Sequence, residues 1–242
     1  MRYLVLSDIH SNLAAFEAVL ADAGEFDMIW CLGDVIGYGP QPNECIEMLR
    51  GLPHICVAGN HDLAAIGQLD ISAFNPDASR ACLWTREQLA PTNREFIVNL
   101  PERLVEGDFT MVHGSPRHPV WEYISHPSVA VASFSYFDST YCLVGHTHVP
   151  VIYRLSRSSA GCDTFTLPLN EPVPIGEERL LINPGAVGQP RDGDARSSYV
   201  ILDVAENTIE YRRVDYPVGE TQELIVSLGL PPRLAARLSI GW

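Results

Sequence analysis

The chain has 242 residues, a formal charge of −14 at neutral pH, 46% hydrophobic residues and 19% charged residues. A chain of this length buries roughly 70–75% of its unfolded surface, enough for a core without disulfides, and the composition is that of an ordinary globular protein. The acidic balance argues against long nucleic acid as a partner, because a phosphate backbone calls for a basic footprint. No run approaches the ~18 consecutive apolar residues of a membrane span, so no membrane association is expected. The first strand-like run starts at Arg2, and Asp8 and His10 follow at once. Cleavage of a signal peptide would remove them, so a cytoplasmic location is expected. The cysteines lack C-x-x-C spacing, and Cys31, Cys56 and Cys142 fall in apolar runs, where a thiol acts as a small hydrophobe.

In chain order, five apolar runs each close on a short polar motif. Tyr3-Leu4-Val5-Leu6 leads to Asp8-Ile9-His10, and Met28-Ile29-Trp30-Cys31-Leu32 to Gly33-Asp34. Ile55-Cys56-Val57-Ala58 leads to Gly59-Asn60-His61-Asp62. Further on, Phe109-Thr110-Met111-Val112 ends in His113-Gly114, and Tyr141-Cys142-Leu143-Val144 in Gly145-His146-Thr147-His148. Runs of this length and content predict buried strands. Between the first three, the segments from Asn12 to Ala23 and Pro42 to Leu49 have helical spacing, with Asn12 as an N-cap candidate. The resulting βαβαβ order predicts a largely parallel sheet.

Residues 63–100 are predicted helical with a break at Pro91; Asp77 or Ser79 is expected to open one helix, and Thr92, with Glu95 as capping-box partner, the next. The second half reads as strands at 150–155, 163–167, 179–183, 198–204 and 208–214, suggesting a second, more antiparallel sheet. Residues 156–161 read as a mobile hairpin tip. Thr221 to Leu228 reads as a helix, and a short last one starts at Pro231-Pro232 with Leu234 and Leu238 as its stripe. No repeat or linker divides the chain, so residues 1–242 are expected to form a single domain. The segment 63–108 and the tail 215–242 are expected to wall the pocket.

The five motifs hold five of the chain's eight histidines, and three of them add an aspartate. Ligands leaving the carboxyl ends of several buried strands converge on one crevice. Imidazole, carboxylate and amide oxygen without thiolate suit Mn²⁺, Fe, Zn²⁺ or Ni²⁺. Two ions ~3.5–4 Å apart need a shared carboxylate, for which Asp34 is the natural candidate. A lone H-x-H or G-D is usually a satisfied core or surface group, whereas five such pieces in order are hard to explain as packing. Trp84 and Phe96 read as packing residues, and His54, His118 and His126 carry no assignment.

The series Asp8-x-His10, Gly33-Asp34, Gly59-Asn60-His61-Asp62, His113 and Gly145-His146-x-His148 resembles the calcineurin-like metallophosphoesterase superfamily over residues 1–150. Asn183 to Arg191 resembles the family's closing strand and loop. Gly37-Tyr38-Gly39-Pro40 resembles a bacterial branch loosely related to diadenosine-polyphosphate phosphatases and small phosphodiesterases. The resemblance implies an α/β fold, a four-layer α/β/β/α sandwich with two mixed β-sheets. It further implies two divalent metal ions, manganese first, with iron, zinc or nickel as alternatives. Asp8, His10, Asp34 and His148 would hold one ion, and Asp34, Asn60, His113 and His146 the other. His61 would stabilise the transition state or protonate the leaving oxygen, with Asp62 orienting its imidazole. A hydroxide bridging the ions would attack phosphorus in line, with no covalent enzyme intermediate.

One departure narrows this. The G-D-x-V-D-R-G arginine of protein phosphatases and symmetrical dinucleoside polyphosphatases is absent from Gly33-Asp34-Val35-Ile36-Gly37-Tyr38-Gly39, which argues against both activities. Arg191 could supply that phosphate contact. Asn12, Tyr38 and Tyr123 are further substrate-binding candidates, each with a packing or capping role as the alternative. The expected function is therefore a dinuclear-metal phosphoesterase acting on a small phosphodiester or nucleotide-type substrate. The alternatives are a phosphomonoesterase acting on nucleotide or sugar phosphates, and a non-catalytic metal-binding scaffold.

Overall fold

The computed structural model describes residues 1–156 and 161–242. The first sixty residues form the expected alternation of β1 (Arg2–Leu6), α1 (Leu13–Ala23), β2 (Met28–Cys31), α2 (Pro42–Arg50) and β3 (His54–Cys56). These strands pair in parallel, β1 with β2 and β2 with β3. Helices α3 (Asn60–Ile66), α4 (Pro76–Gln88) and α5 (Pro91–Val98) follow. After them come β4 (Arg103–Glu106), β5 (Phe109–Val112), α6 (Pro127–Ser133), β6 (Tyr141–Leu143), β7 (Val151–Leu155) and β8 (Cys162–Phe165). The chain continues through β9 (Val173–Pro174), β10 (Leu180–Asn183), β11 (Ser197–Asp203), β12 (Thr208–Val214), α7 (Val218–Ser227) and α8 (Pro232–Ala236).

Two six-stranded mixed sheets result, ordered β3-β2-β1-β11-β12-β9 and β4-β5-β6-β10-β7-β8. Their layering follows from side-chain alternation. On β1, Leu4 and Leu6 point to a core shared with Phe16, Val19, Ile46 and Leu49 of α1 and α2. Tyr3 and Val5 point the other way, to a core between the sheets with Met111, Leu143 and Ile182. Val112, Cys142 and Leu181 leave the second sheet on its far face and meet Ala130 of α6 and Phe134. Helix, sheet, sheet and helix thus stack in the expected α/β/β/α order. The six cysteines are free, five of them buried, as the reading of core thiols expects.

Several local expectations are corrected. The strands of the second half do not build a sheet of their own. β11 and β12 extend the first sheet antiparallel from β1, while β10 runs parallel to β6 and antiparallel to β7. The segment 63–108 is not wholly helical, because Arg103–Glu106 forms β4 against β5. α4 is capped by Asn75, whose side chain accepts from the Ala78 amide, and α5 starts at Pro91 after Ala90. Proline is favoured at the first helical position, so the residue before it is the cap, and neither Asp77, Ser79 nor Thr92 serves. Helix α6 and strand β9 were not anticipated. The expected hairpin tip at 156–161 lies, for residues 157–160, outside the described residues.

Leu4 is fully buried, whereas Val105 is 59% exposed. Leu4→Ala should therefore cost about 2–5 kcal/mol of unfolding free energy, and Val105→Ala within about 0.5 kcal/mol. Urea titration of both variants checks this; equal losses would contradict the placement of the core.

Candidate metal centre

The motif residues gather at the carboxyl ends of β1, β2, β5 and β6 and at the start of α3. The backbone there is unusual: Asp8, His10, Asp34, His146 and His148 have φ of +57°, +50°, +52°, +64° and +59°. Left-handed conformations at non-glycine residues are uncommon and costly, and they gather at functional sites. Cross-loop hydrogen bonds hold them, His10 N–H to the Asp34 carbonyl at 2.9 Å and Gly188 N–H to the Asp8 carbonyl at 2.9 Å. Two glycines permit the approach. A Cβ on Gly59 would lie 2.0 Å from Asp34 Oδ1, and one on Gly188 1.8 Å from the Ile9 carbonyl oxygen.

Each of four histidines has one ring nitrogen against a backbone carbonyl. The pairs are His10 Nδ1 with Ile36 at 3.3 Å, His113 Nδ1 with Leu32 at 2.9 Å, His148 Nδ1 with Gln189 at 2.6 Å and His146 Nε2 with Trp121 at 3.1 Å. A carbonyl accepts, so those nitrogens carry the protons. In the neutral rings the remaining lone pairs must then point inward. His10 Nε2 and His148 Nε2 are 3.1 Å apart, and Asp8 Oδ1 lies 3.5 and 3.0 Å from them. His113 Nε2 lies 3.1 Å from His146 Nδ1 and 3.0 Å from Asn60 Oδ1.

The carboxylates are split in the same manner. Asp34 Oδ1 accepts the His61 amide at 2.8 Å, and Asp8 Oδ2 accepts Ser7 Oγ at 2.6 Å and the His146 amide at 3.0 Å. Asp8 Oδ1 and Asp34 Oδ2 are buried and accept no hydrogen bond. Asp34 Oδ2 is 3.3 Å from His113 Nε2 and 3.6 Å from His10 Nε2, so it faces both sets. Among the described residues, Asp8, His10 and His148 form one group able to hold a metal ion, and Asp34, His113 and His146 another. Two orphaned carboxylate oxygens between converging imidazole lone pairs fit cations at both sets.

Electrostatics agree with the geometry. Burial opposes charge on both carboxylates, but His148 and His10 at Asp8, and His113 and His61 at Asp34, outweigh it and hold both below the usual range. Burial likewise opposes charge on His113, yet Asp34 wins and raises it to about 9. Burial and then His113 push His146 down to about 3, and burial and then Arg191 push His148 down to about 4.

The remaining candidates divide. His61 is buried, and burial drives its pKa well below the ordinary value. Its Nδ1 lies 3.3 Å from the Cys82 thiol, not against Asp62. The expectation that Asp62 orients this imidazole is corrected: its two oxygens accept the Ile36 and Gly59 amides at 3.1 and 2.9 Å. Asp62 is a strut between loops, and burial and then Asp34 raise its pKa to about 7.

Asn12 is also corrected from substrate contact to structure. Its oxygen accepts from the Ala15 amide and Thr221 Oγ1, and its amide donates to the Gly188 carbonyl. Tyr38 is buried with its ring 4.2 Å from His61 and 4.7 Å from His10. Tyr123 is 47% exposed and stacks on His146 at 3.7 Å. Arg191 forms no ion pair among the described residues; it donates to Gln189 Oε1 at 3.0 Å and the Tyr38 hydroxyl at 3.4 Å. Sequence reasoning missed Cys82, Trp121 and Phe74, which meet the site only in three dimensions. Phe74 lies 4.9 Å from His61 and stacks on Trp121 at 5.3 Å.

The model of the calcineurin-like phosphoesterase superfamily domain matches residues 1–207, and the chain belongs to that family. It is accordingly a hydrolase of phosphoric esters. An uncharacterized protein of Methanocaldococcus jannaschii is 40% identical, over 98% of this chain and 97% of that one. The crystal structure of a metallophosphoesterase from Sphaerobacter thermophilus superposes with a TM-score of 0.92 at 46% identity, covering 100% of this chain and 99% of the other. A hypothetical protein from Pyrococcus horikoshii shares the fold, with a TM-score of 0.80 at 20% identity over 100% of this chain and 98% of the other.

Two measurements probe the centre. Without metal, the His113–Asp34 pair contributes stability that is fully present below pH 6.5 and is lost as pH rises through about 9. Loading chelator-treated protein with Mn²⁺ at pH 7 should therefore release about one proton. Calorimetry in buffers of different ionisation enthalpy counts it, and no release would contradict the assignment. Asp62→Asn sets an amide donor against one of two backbone donors. It should cost about 1–3 kcal/mol and lower metal affinity, read by thermal melting and metal titration; unchanged values would restore the role of orienting His61.

Proposed function

We propose that the chain is a two-metal phosphoesterase hydrolysing small phosphodiesters or nucleotide-type esters. The observation that carries this is the pair of buried, unbonded carboxylate oxygens, on Asp8 and Asp34, facing imidazoles whose other nitrogens are tied to backbone carbonyls. Asp8, His10, Asp34 and His148 would hold one ion, and Asp34, Asn60, His113 and His146 the other. Manganese heads the nitrogen- and oxygen-liganding metals that this set suits. Such a pair, when bound, supplies Lewis acidity toward phosphoryl oxygens and a water that ionises near neutral pH.

The protein's own groups do the rest. His61 is kept neutral by burial. With the Cys82 thiol donating to Nδ1, the proton stays on Nε2, available to a phosphoryl or leaving oxygen. Arg191 offers a planar fork to phosphate. Tyr123 and Trp121, partly exposed beside the centre, would contact a second ester group. We read residues 1–242 as one domain, because β11 and β12 pair onto β1. The segments 63–108 and 215–242 would supply pocket walls through Phe74 and through Leu234 and Leu238, which pack with Tyr38. A cytoplasmic setting, with reduced cysteines, fits this reading.

The test compares bis-p-nitrophenyl phosphate with p-nitrophenyl phosphate, with Mn²⁺ present and His61→Gln alongside. Diester turnover should be the faster, and the variant should bind both metals yet lose about 10²–10⁴-fold in rate. Faster monoester cleavage would shift the reading to nucleotide or sugar phosphates. Full activity in the variant would remove His61 from the chemistry.

A further inference from the structure

Arg191, already read as a phosphate contact, has a second arginine beside it. Arg191 and Arg237 place their guanidinium carbons 5.7 and 5.9 Å from the centroid of the Tyr38 ring. The same ring lies against His61 and His10. Among the described residues neither guanidinium pairs with an Asp or Glu side chain. Arg191 Nε is buried without a partner, its Nη2 bonds go to neutral oxygens, and Arg237 Nε donates to a main-chain oxygen of Trp242, so the uncompensated charge lies chiefly at Arg191. Burial and then Arg191 push Arg237 down to about 10.

A contact with an aromatic face is favourable for a cation, but it leaves the repulsion between two neighbouring guanidinium groups unanswered. A desolvated charge lacking a counter-charge is destabilising. In a chain of net charge −14, Arg191 still pairs with no carboxylate, and Arg237 meets only the charge of Asp77. Arg237 also lines a cavity of about 570 Å³ between the start of α4 and the end of the chain's last helical segment, with Asn75, Asp77, Arg233, Ile240 and Trp242. That volume lies within the ~300–1,000 Å³ of small-molecule sites.

We propose that Arg191 and Arg237 form a clamp for a second anionic group of the substrate, so that the ester cleaved is one whose leaving group carries a further phosphate. This rests on the phosphoesterase reading of the adjoining centre. The Tyr38 ring lies against His61 and His10 and near both guanidinium groups, so it packs the clamp onto the centre. Guanidinium forks match phosphate oxygens two at a time. Arg233 is exposed at the cavity's rim, and Asp77 is the carboxylate that opposes anion entry.

Adenosine 3′,5′-bisphosphate and adenosine 5′-monophosphate differ by one phosphate and serve as probes. Their binding to the manganese-loaded full chain is measured by calorimetry. Hydrolysis of bis-p-nitrophenyl phosphate is followed separately in the same preparations. The bisphosphate should bind about tenfold tighter or more, as hydrogen bonds to a charged group imply. Arg237→Gln should bring the ratio close to one, and Asp77→Asn should raise it. Equal affinities in the unaltered protein, or a ratio that Arg237→Gln leaves in place, would overturn the clamp. If Arg237→Gln does not fold, Asp77→Asn decides, because a ratio that fails to rise counts against the clamp. Turnover without the preference removes the clamp and keeps the esterase; preference without turnover keeps the clamp and removes the esterase reading.

Discussion

The structure depends on how the buried Asp34 carboxylate is divided. One oxygen is fixed by the amide that opens α3, and the other is left unbonded between two groups of imidazoles. A buried carboxylate oxygen without a partner is costly. Here the neighbouring histidines offset that cost, enough to hold the group below its ordinary pKa despite complete burial. The same division is repeated at Asp8, whose anchored oxygen takes Ser7 and His146. Both sites thus rest on loops that bond to one another, not on isolated side chains.

That interlock explains why the surrounding backbone is strained. Bringing the ends of β1, β2 and β6 within reach of one carboxylate forces five acidic and histidine ligand candidates into left-handed conformations. The sheets make this possible. Their strand ends are rigid, covered by cores on both faces, and can hold loops in sparsely populated conformations that free segments would leave. The carbonyls of Leu32, Ile36, Trp121 and Gln189 then select tautomers, so the backbone decides which lone pairs face inward. Ligand identity is a property of the sequence, but ligand orientation is a property of this frame.

The difference separates what was legible in the sequence from what was not. Asp8, His10, Asp34, Asn60, His113, His146 and His148 were legible because each sits in a short motif that closes an apolar run, and strand ends converge. The layered fold was legible because β1 and β5 are apolar on both faces. Asp62 was misread because adjacency in sequence was taken for adjacency in space. Residues 61 and 62 are consecutive in α3, and consecutive helical side chains do not face one another. Sheet membership of β11 and β12 was misread for a related reason: pairing with β1 spans almost the whole chain, and no local pattern encodes it. Cys82, Trp121 and Arg237 had no local signal at all, since a cysteine on a helix, a loop tryptophan and a terminal arginine are ordinary in isolation.

Those three residues border the site at His61, His146 and Tyr38 respectively, from elements outside the motifs. Metal ligands define where a phosphoryl group is held, and their geometry is compatible with many esters. Discrimination must come from groups whose contact with the site is made by the tertiary fold, here α4, the loop after β5 and the last helical segment. Tyr38 is where they meet. Its ring touches His10 and His61, packs in one apolar cluster with Leu234 and Leu238, and has two guanidinium carbons 5.7 and 5.9 Å from its centroid. A side chain so placed transmits the position of the C-terminal helices directly to the reacting region. The absence of an arginine after the second motif is then a relocation of positive charge. It moves from the loop beside Asp34 to Arg191 and Arg237 around the Tyr38 ring, where, on the proposed reading, it would meet a substrate's second charged group.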